Sequence, residues 1–346
     1  MADAFEPDFA PDFARDLAAC RDLLRGGSRS FFAAALLLPR RVHRPATALY
    51  AFCRVADDLI DEGGGPAALS LLRARLDAIY AGRPADLPAD RALAAVVMRH
   101  RIPRLLFDEL LEGFAWDAEG RRYEDLAALQ DYAAKVAGTV GVMMAIIMGA
   151  RDPAALARAA DLGIAMQLTN IARDVGEDAR TGRLYLPLQW LREEGIDPAA
   201  LLANPAPSPE LACVIARLLG KAELLYARAD AGIAALPIDC RVGIGAARRL
   251  YAAIGHQVIR NRYDAVTVRA RVGGGRKLRL VARSAFAATR PASRCADPAL
   301  AAARPLVASV IATPAPIRQR WQIGFARRVL WLATLFAELD QRQSES

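Results

Sequence analysis

The 346 residues are 54% hydrophobic and 24% charged, a globular balance that excludes a disordered chain. The formal charge is +8, and the abundance of Ala, Leu and Arg favours helix. Five cysteines (Cys20, Cys53, Cys213, Cys240 and Cys295) are odd in number and lack a CxxC pair, which argues for reduced thiols in a cytosolic protein and against a disulfide framework or a zinc site.

The N-terminus, MADAFEPDFAPDFARD, is acidic and has neither the basic nor the apolar region of a signal peptide. Beyond it helical periodicity dominates and strand alternation is nearly absent, so an all-α chain is expected. A first helix candidate runs from about Arg44 through Asp61 and is stopped by Glu62-Gly63-Gly64-Gly65-Pro66. Others cover residues 67–80, 89–100, 103–115, 123–148, 153–177, 209–235 and 241–263. The longest uncharged apolar run, 136–150, is too short to span a bilayer and reads as a buried helix. From Ser284 to about Arg318 the chain is Ala/Pro/Arg-rich and reads as a loose extension. The expected organisation is an N-terminal extension (1–25), a catalytic domain (26–283) and a C-terminal extension (284–346) that ends in an amphipathic helix, Trp321 to Leu339. That helix sets Arg327 and Arg328 beside Trp331 and Phe336, a pattern that suits either a membrane interface or packing on the domain.

Charge is uneven. From Arg241 to Arg294 there are thirteen Arg/Lys against one acid, Asp264. Such a stretch serves a diphosphate, an anionic membrane or solvated helix faces. No zinc-finger spacing, ribonucleoprotein motif or basic zipper accompanies it, so nucleic acid is not an expected partner.

Two clusters carry the chemistry. In ALYAFCRVADDLIDE, Asp57 and Asp61 are i,i+4 neighbours, as are Tyr50 with Arg54 and Arg54 with Asp58. In QLTNIARDVGEDARTGRLYLP, Asn170, Asp174 and Asp178 form a second stripe beside the apolar Ile164, Leu168, Ile171 and Val175, with Arg183 and Tyr185 following. Arg173 and Glu177 are also i,i+4 and would pair with each other if the helix were merely amphipathic. Carboxylates one turn apart repel unless a cation joins them, and the apolar context makes solvation a poor explanation. Oxygen-only clusters without His or Cys suit Mg²⁺, or Mn²⁺ in its place, which completes its octahedron with phosphate oxygens. Two facing acidic stripes thus suggest a metal-diphosphate clamp, with Arg54, Arg183, Tyr185 and Lys277 as direct phosphate contacts.

Together with GGSRSFFAAALLLP, YAAKVAGTVGVMMAIIMG and GFAWDAEGRRYEDL, these words resemble the squalene/phytoene synthase family over about Gly26 to Ala282. The resemblance implies a single isoprenoid-synthase-type helical bundle enclosing a central apolar cavity. It implies metal sites at Asp57, Asp58, Asp61, Asn170, Asp174 and Asp178. It implies substrate contacts at Ser28, Ser30, Tyr50, Arg54, Asn170, Arg183 and Tyr185, and catalytic roles for Asp57, Asp61, Asp174, Asp178 and Tyr185. Relatives often read YCYxVAG where this chain has Tyr132-Ala133-Ala134, so the second Tyr of that motif is Ala134 here.

The implied reaction is a Mg²⁺-dependent head-to-head condensation of two geranylgeranyl diphosphates. It passes through prephytoene diphosphate to phytoene, the first committed step of carotenoid synthesis. Either Tyr185 or released diphosphate takes the last proton. Gly138, Gly141, Gly163 and Ala165 would let prenyl tails pass close to the backbone, or pack helices tightly. NADPH is not expected: no strand–GxGxxG–helix unit is present, and GIGAAR at Gly243 fails at its last position. The alternatives are a dehydrosqualene or squalene synthase using farnesyl diphosphate, and a non-catalytic assembly factor of the same fold. Further expectations are peripheral contact with the cytoplasmic membrane and handover of product to a phytoene desaturase.

Overall fold

The computed structural model describes residues 11–25, 37–60, 65–289 and 297–315. In chain order they form α1 (Pro11–Arg25), α2 (Arg40–Leu59), α3 (Gly65–Tyr80), α4 (Pro88–His100) and α5 (Leu105–Ala118). α6 (Leu126–Ala133) runs through a π-helical segment (Ala134–Gly138) into α7 (Thr139–Ile147). Then come α8 (Pro153–Arg180), α9 (Leu188–Glu193), α10 (Pro198–Ala203), α11 (Pro209–Ala235), α12 (Ile238–Arg260), α13 (Gly274–Ala287) and α14 (Arg304–Ala312). No strand occurs among the described residues, as the periodicity predicts.

The two longest helices begin on sequence signals that can be read directly. Asp152 accepts a hydrogen bond from the Ala155 amide at 3.0 Å ahead of Pro153, and Ser208 accepts one from Leu211 at 3.1 Å ahead of Pro209. A capping oxygen satisfies an orphan amide while proline at the first helical position gives up nothing. Around α8 pack α7, α11, α12 and the π segment, so α8 is the spine of the bundle.

Glycines let those helices meet at backbone distance. A Cβ on Gly163 would lie 2.2 Å from the Ala137 carbonyl oxygen, and one on Gly141 2.2 Å from that of Ala159. Neither position tolerates a side chain without moving a helix, so tight packing explains them, although both also line the groove described below. Gly138 and Ala165 belong to the packed core, the former against Ile164 and Leu306. Their expected role beside a prenyl tail is not what the structure gives them.

The described parts of the two extensions also pack. Phe13, Leu17 and Cys20 recur at helical spacing and are buried in the main core, and Asp16 takes both a 3.0 Å hydrogen bond and a 2.6 Å contact from Arg91. α13 crosses residue 284, where composition suggests the start of a loose extension. Farther on, Ala303, Leu306, Val307 and Val310 enter the same core as α8. Composition misleads here because Ala, Pro and Arg dilute a short apolar stripe that is nonetheless sufficient to dock one helix. The Trp321–Leu339 segment lies outside the described residues. Among those described, no helix is long and apolar enough to cross a membrane.

Candidate active site

Two helix ends shape the site, each closed by glycine in the left-handed region. After α8, Gly182 (φ 78°) donates to the Ala179 carbonyl at 3.0 Å, and the next amide, Arg183, donates back to Asp178 at 2.8 Å. After α5, Gly120 (φ 62°) donates to Asp117 at 3.1 Å and Arg121 to Trp116 at 3.0 Å. Both are Schellman turns, and both fold the chain back over the last helical turn. The first puts Arg183 beside Asp178. The second leaves the Asp117 side chain in the final turn of α5.

Asp117 joins the parts of the site. Its carboxylate accepts from the Tyr185 hydroxyl at 2.8 Å and from the Tyr132 hydroxyl at 2.8 and 2.9 Å. Burial pushes its pKa up to about 6; the two tyrosine hydrogen bonds and the Arg183 guanidinium pull down, while Asp57 adds to the rise. Tyr132 and Tyr185 stack at 5.3 Å, and Tyr123 completes the cluster 5.1 Å from the Tyr132 ring and 6.3 Å from that of Tyr185. Ala134 is buried and carries no ring, and the aromatic groups of this region are instead these three mutually packed tyrosines.

On α2, Arg54 donates from Nε to Asp58 at 3.1 Å, meets its other oxygen at 2.5 Å, and stands 3.5 Å from Asp57. Asp57 raises the pKa of Asp117, so its charge reaches the cluster. On α8, Asp174 is held by Arg173, through Nε at 2.7 Å, and by Arg269, through Nε at 3.1 Å. Glu177 meets Arg269 at 3.0 Å, so the i,i+4 pairing of Arg173 with Glu177 gives way to Arg269, which no local pattern marks. Arg269 arrives because Gly176, whose Cβ would lie 2.6 Å from Val266, lets the loop after α12 press against α8. In that loop Ala265 accepts the Gly176 amide at 3.0 Å. Burial pushes Asp178 up to about 7, Asp174 adds to the rise, and Arg183 opposes it. Arg183 therefore acts on both Asp117 and Asp178, while Asp57 acts on the first and Asp174 on the second.

An apolar groove of about 230 Å³ begins at Asn170 and Gln167 and continues along α8, facing α7, α11 and α12. Asn170 thus stands where the polar stripe becomes the greasy one. Tyr50 is half-buried on α2, and Lys277 is half-buried in the first turn of α13, which packs on α12. Asp61, Ser28 and Ser30 lie outside the described residues. Gly243 of GIGAAR lies within α12.

Among the described residues no three acidic, His or Cys side chains stand close enough to hold an ion unaided. The donor set still fits a hard divalent cation. Every candidate is an oxygen, and Asp178 carries a carboxylate whose charge its surroundings do not fully compensate. Substrate phosphate oxygens would complete such a site. Asp117 and Arg269 are the site residues that motif reading missed. The GFAWDAEGRRYEDL word contains the first, and the one-sided basic run after Arg241 contains the second.

The squalene/phytoene synthase family model matches residues 24–277, and the chain belongs to that family of enzymes. It is 58% identical over 278 residues to the phytoene synthase of Rhodobacter capsulatus, covering 79% of this chain and 82% of that one. It is 39% identical to the phytoene synthase of Thermus thermophilus, over 84% of this chain and 97% of the relative. A crystal structure of a dehydrosqualene synthase in complex with ligand superposes with a TM-score of 0.71 at 31% identity, over 79% of this chain and 96% of that one. The squalene synthase HpnC from Alicyclobacillus acidocaldarius gives 0.67 at 25%, over 74% and 97%. The fold is that of these isoprenoid synthases.

The raised Asp178 predicts a pH signature for metal binding. Below about 7 its carboxyl holds a proton that a divalent cation must displace, so affinity should climb about tenfold per pH unit up to 7 and then level off. Calorimetry with Mn²⁺ in buffers of different ionisation enthalpy should show proton release at pH 6 and little at pH 8. Proton release that is the same at both pH values would remove Asp178 as a ligand.

Proposed function

We propose that this chain is a phytoene synthase that condenses two geranylgeranyl diphosphates head to head, releasing two diphosphates. The observation that carries the reading is the join at Asn170 between a carboxylate-arginine site and an apolar groove on one helix, in a chain so similar to named phytoene synthases. The catalytic unit is taken as residues 26–283, flanked by 1–25 and 284–346.

Asp57, Asp58, Asp61, Asn170, Asp174 and Asp178 would hold Mg²⁺, which when bound offsets the charge of departing diphosphate. Arg54 and Arg269, now paired with carboxylates, would turn their remaining donors to phosphate oxygens, and Arg183, whose charge acts on Asp117 and Asp178, would join them. Ser28, Ser30, Tyr50 and Lys277 complete the proposed substrate contacts. As the C1–oxygen bond of one prenyl diphosphate breaks, the double bond of the second attacks C1 and a proton leaves, giving a cyclopropylcarbinyl diphosphate. A second ionisation in the same site, rearrangement and a second proton loss yield phytoene. Tyr185, half-buried against the buried Tyr123 and Tyr132, would be the ring of this cluster to face the cations. Asp117 holds the Tyr132 and Tyr185 hydroxyls, which fixes the ring faces.

We further propose peripheral contact with anionic membrane, given the apolar product and the basic stretch from Arg241, and handover from there to a desaturase. The full chain should sediment with anionic vesicles at low salt, and failure to do so removes the idea.

The decisive assay incubates the purified chain with C15 and C20 prenyl diphosphates and Mg²⁺, with and without NADPH. Phytoene from the C20 substrate, independent of NADPH, is the expected product. Asp57→Asn and Asp174→Asn should each lower kcat/KM by at least ~100-fold with the helical circular dichroism unchanged. Squalene or dehydrosqualene as the main product would transfer the chain to the C15 reading. Near-normal turnover by either variant would refute the clamp.

A further inference from the structure

The groove has one open end and one shut end. Along the π segment and α7, Val136, Val140 and Gly141 are half-exposed, whereas Met144, Ala145 and Met148 farther along are only 8%, 0% and 4% exposed. α8 runs the other way and repeats the gradient: Asn170, Met166, Leu162 and Ala159 are half-exposed, then Arg158 and Ala155 fall to 3% and 7%. Two facing helices therefore agree that the space closes near Arg158. The twelve helical steps from Asn170 to Arg158 correspond to about 18 Å of helix.

Arg158 is the charged residue in an otherwise apolar and amide lining, and its head is turned away from that lining. Its Nε pairs with Asp161 at 2.8 Å, and its two terminal nitrogens donate to the carbonyls of Asp297 at 3.2 Å and Pro298 at 3.3 Å. Arg228 from α11 repeats the grip, on Asp161 at 2.9 Å and on the Pro298 carbonyl at 2.7 Å. Two arginines sharing one fully buried carboxylate thus staple the 297–298 segment across the end of the bundle. With its head so engaged, what Arg158 can offer the groove it lines is its aliphatic stem. α11 presses on that stem directly: a Cβ on Gly232 would lie 2.3 Å from the Arg158 Cβ. A buried ion network is a poor way to gain stability compared with apolar residues of the same volume, but it fixes the geometry of its members.

We propose that the Arg158–Asp161–Arg228 network, stapled to Asp297 and Pro298, is the end wall of the prenyl groove and sets the longest chain the enzyme accepts. The proposal rests on the reading that the groove takes a prenyl tail. Truncating the stem deepens the groove, and enlarging Ala155 beside it makes the groove shallower. A role in folding alone would lower activity on all chain lengths alike.

The test measures kcat/KM for C15, C20 and C25 prenyl diphosphates with the full chain and three variants. Arg158→Ala should raise the C25/C20 ratio at least ~tenfold, since single methylenes already discriminate by that order. Arg158→Lys, which keeps the stem, should leave that ratio unchanged. Ala155→Leu should lower the C20/C15 ratio by a similar factor, and it decides the matter should Arg158→Ala fail to fold by circular dichroism. A wild type active on these substrates whose ratios do not shift in the folded variants overturns the end wall alone. A wild type inactive on every prenyl diphosphate overturns the functional reading instead.

Discussion

An ionised carboxylate leaves water only where a cation or a proton receives its charge, and the site is organised around that constraint. Asp178 and Asp117 are both pushed toward neutrality by their surroundings, Asp178 to about 7 and Asp117 to about 6. Arg183 opposes the rise at both, and the Gly182 turn places it there. Asp174 and Asp58 are instead matched by guanidiniums. The balance is one of arginines that partly compensate the acids and carboxylates that remain under-compensated. Such a site gains from a divalent cation that arrives with a diphosphate, because the pair brings both the missing positive charge and further acceptors for the arginines.

α8 converts that electrostatic arrangement into one suited to a long apolar substrate. Its last turns carry the acids, and its middle faces the groove, with Asn170 at the boundary. Gly141 and Gly163 hold the facing helices at backbone distance, so the groove wall and the polar stripe belong to one rigid unit. On the proposed reading, the diphosphate head and the prenyl tail of the substrate are met along this single helix.

Much of this was legible in the sequence because it is local. Helix spacing alone groups Arg54 with Asp58, and Asp174 with Asp178. Capping residues before Pro153 and Pro209 start the long helices where the periodicity says they start. What was not legible is what distant segments bring together. Arg269 lies far along the chain from Asp174 and reaches it only because Gly176 admits a loop. Asp117 looks like an ordinary polar residue near a helix end until Tyr132 and Tyr185 close on it. α1 and α14 were read as extensions because their apolar positions are few, and the partners that bury them lie elsewhere in the chain.

The central claim is that carboxylates from α2 and α8 share metal ions with one diphosphate. Anomalous diffraction from crystals grown with Mn²⁺ and a non-reactive prenyl thiodiphosphate tests it most directly. The account predicts manganese peaks bridged by the thiodiphosphate, with Asp57 on one side and Asp174 and Asp178 on the other, and the prenyl tail entering the groove past Asn170. Manganese bound at only one stripe, or a thiodiphosphate bound away from both, would contradict it.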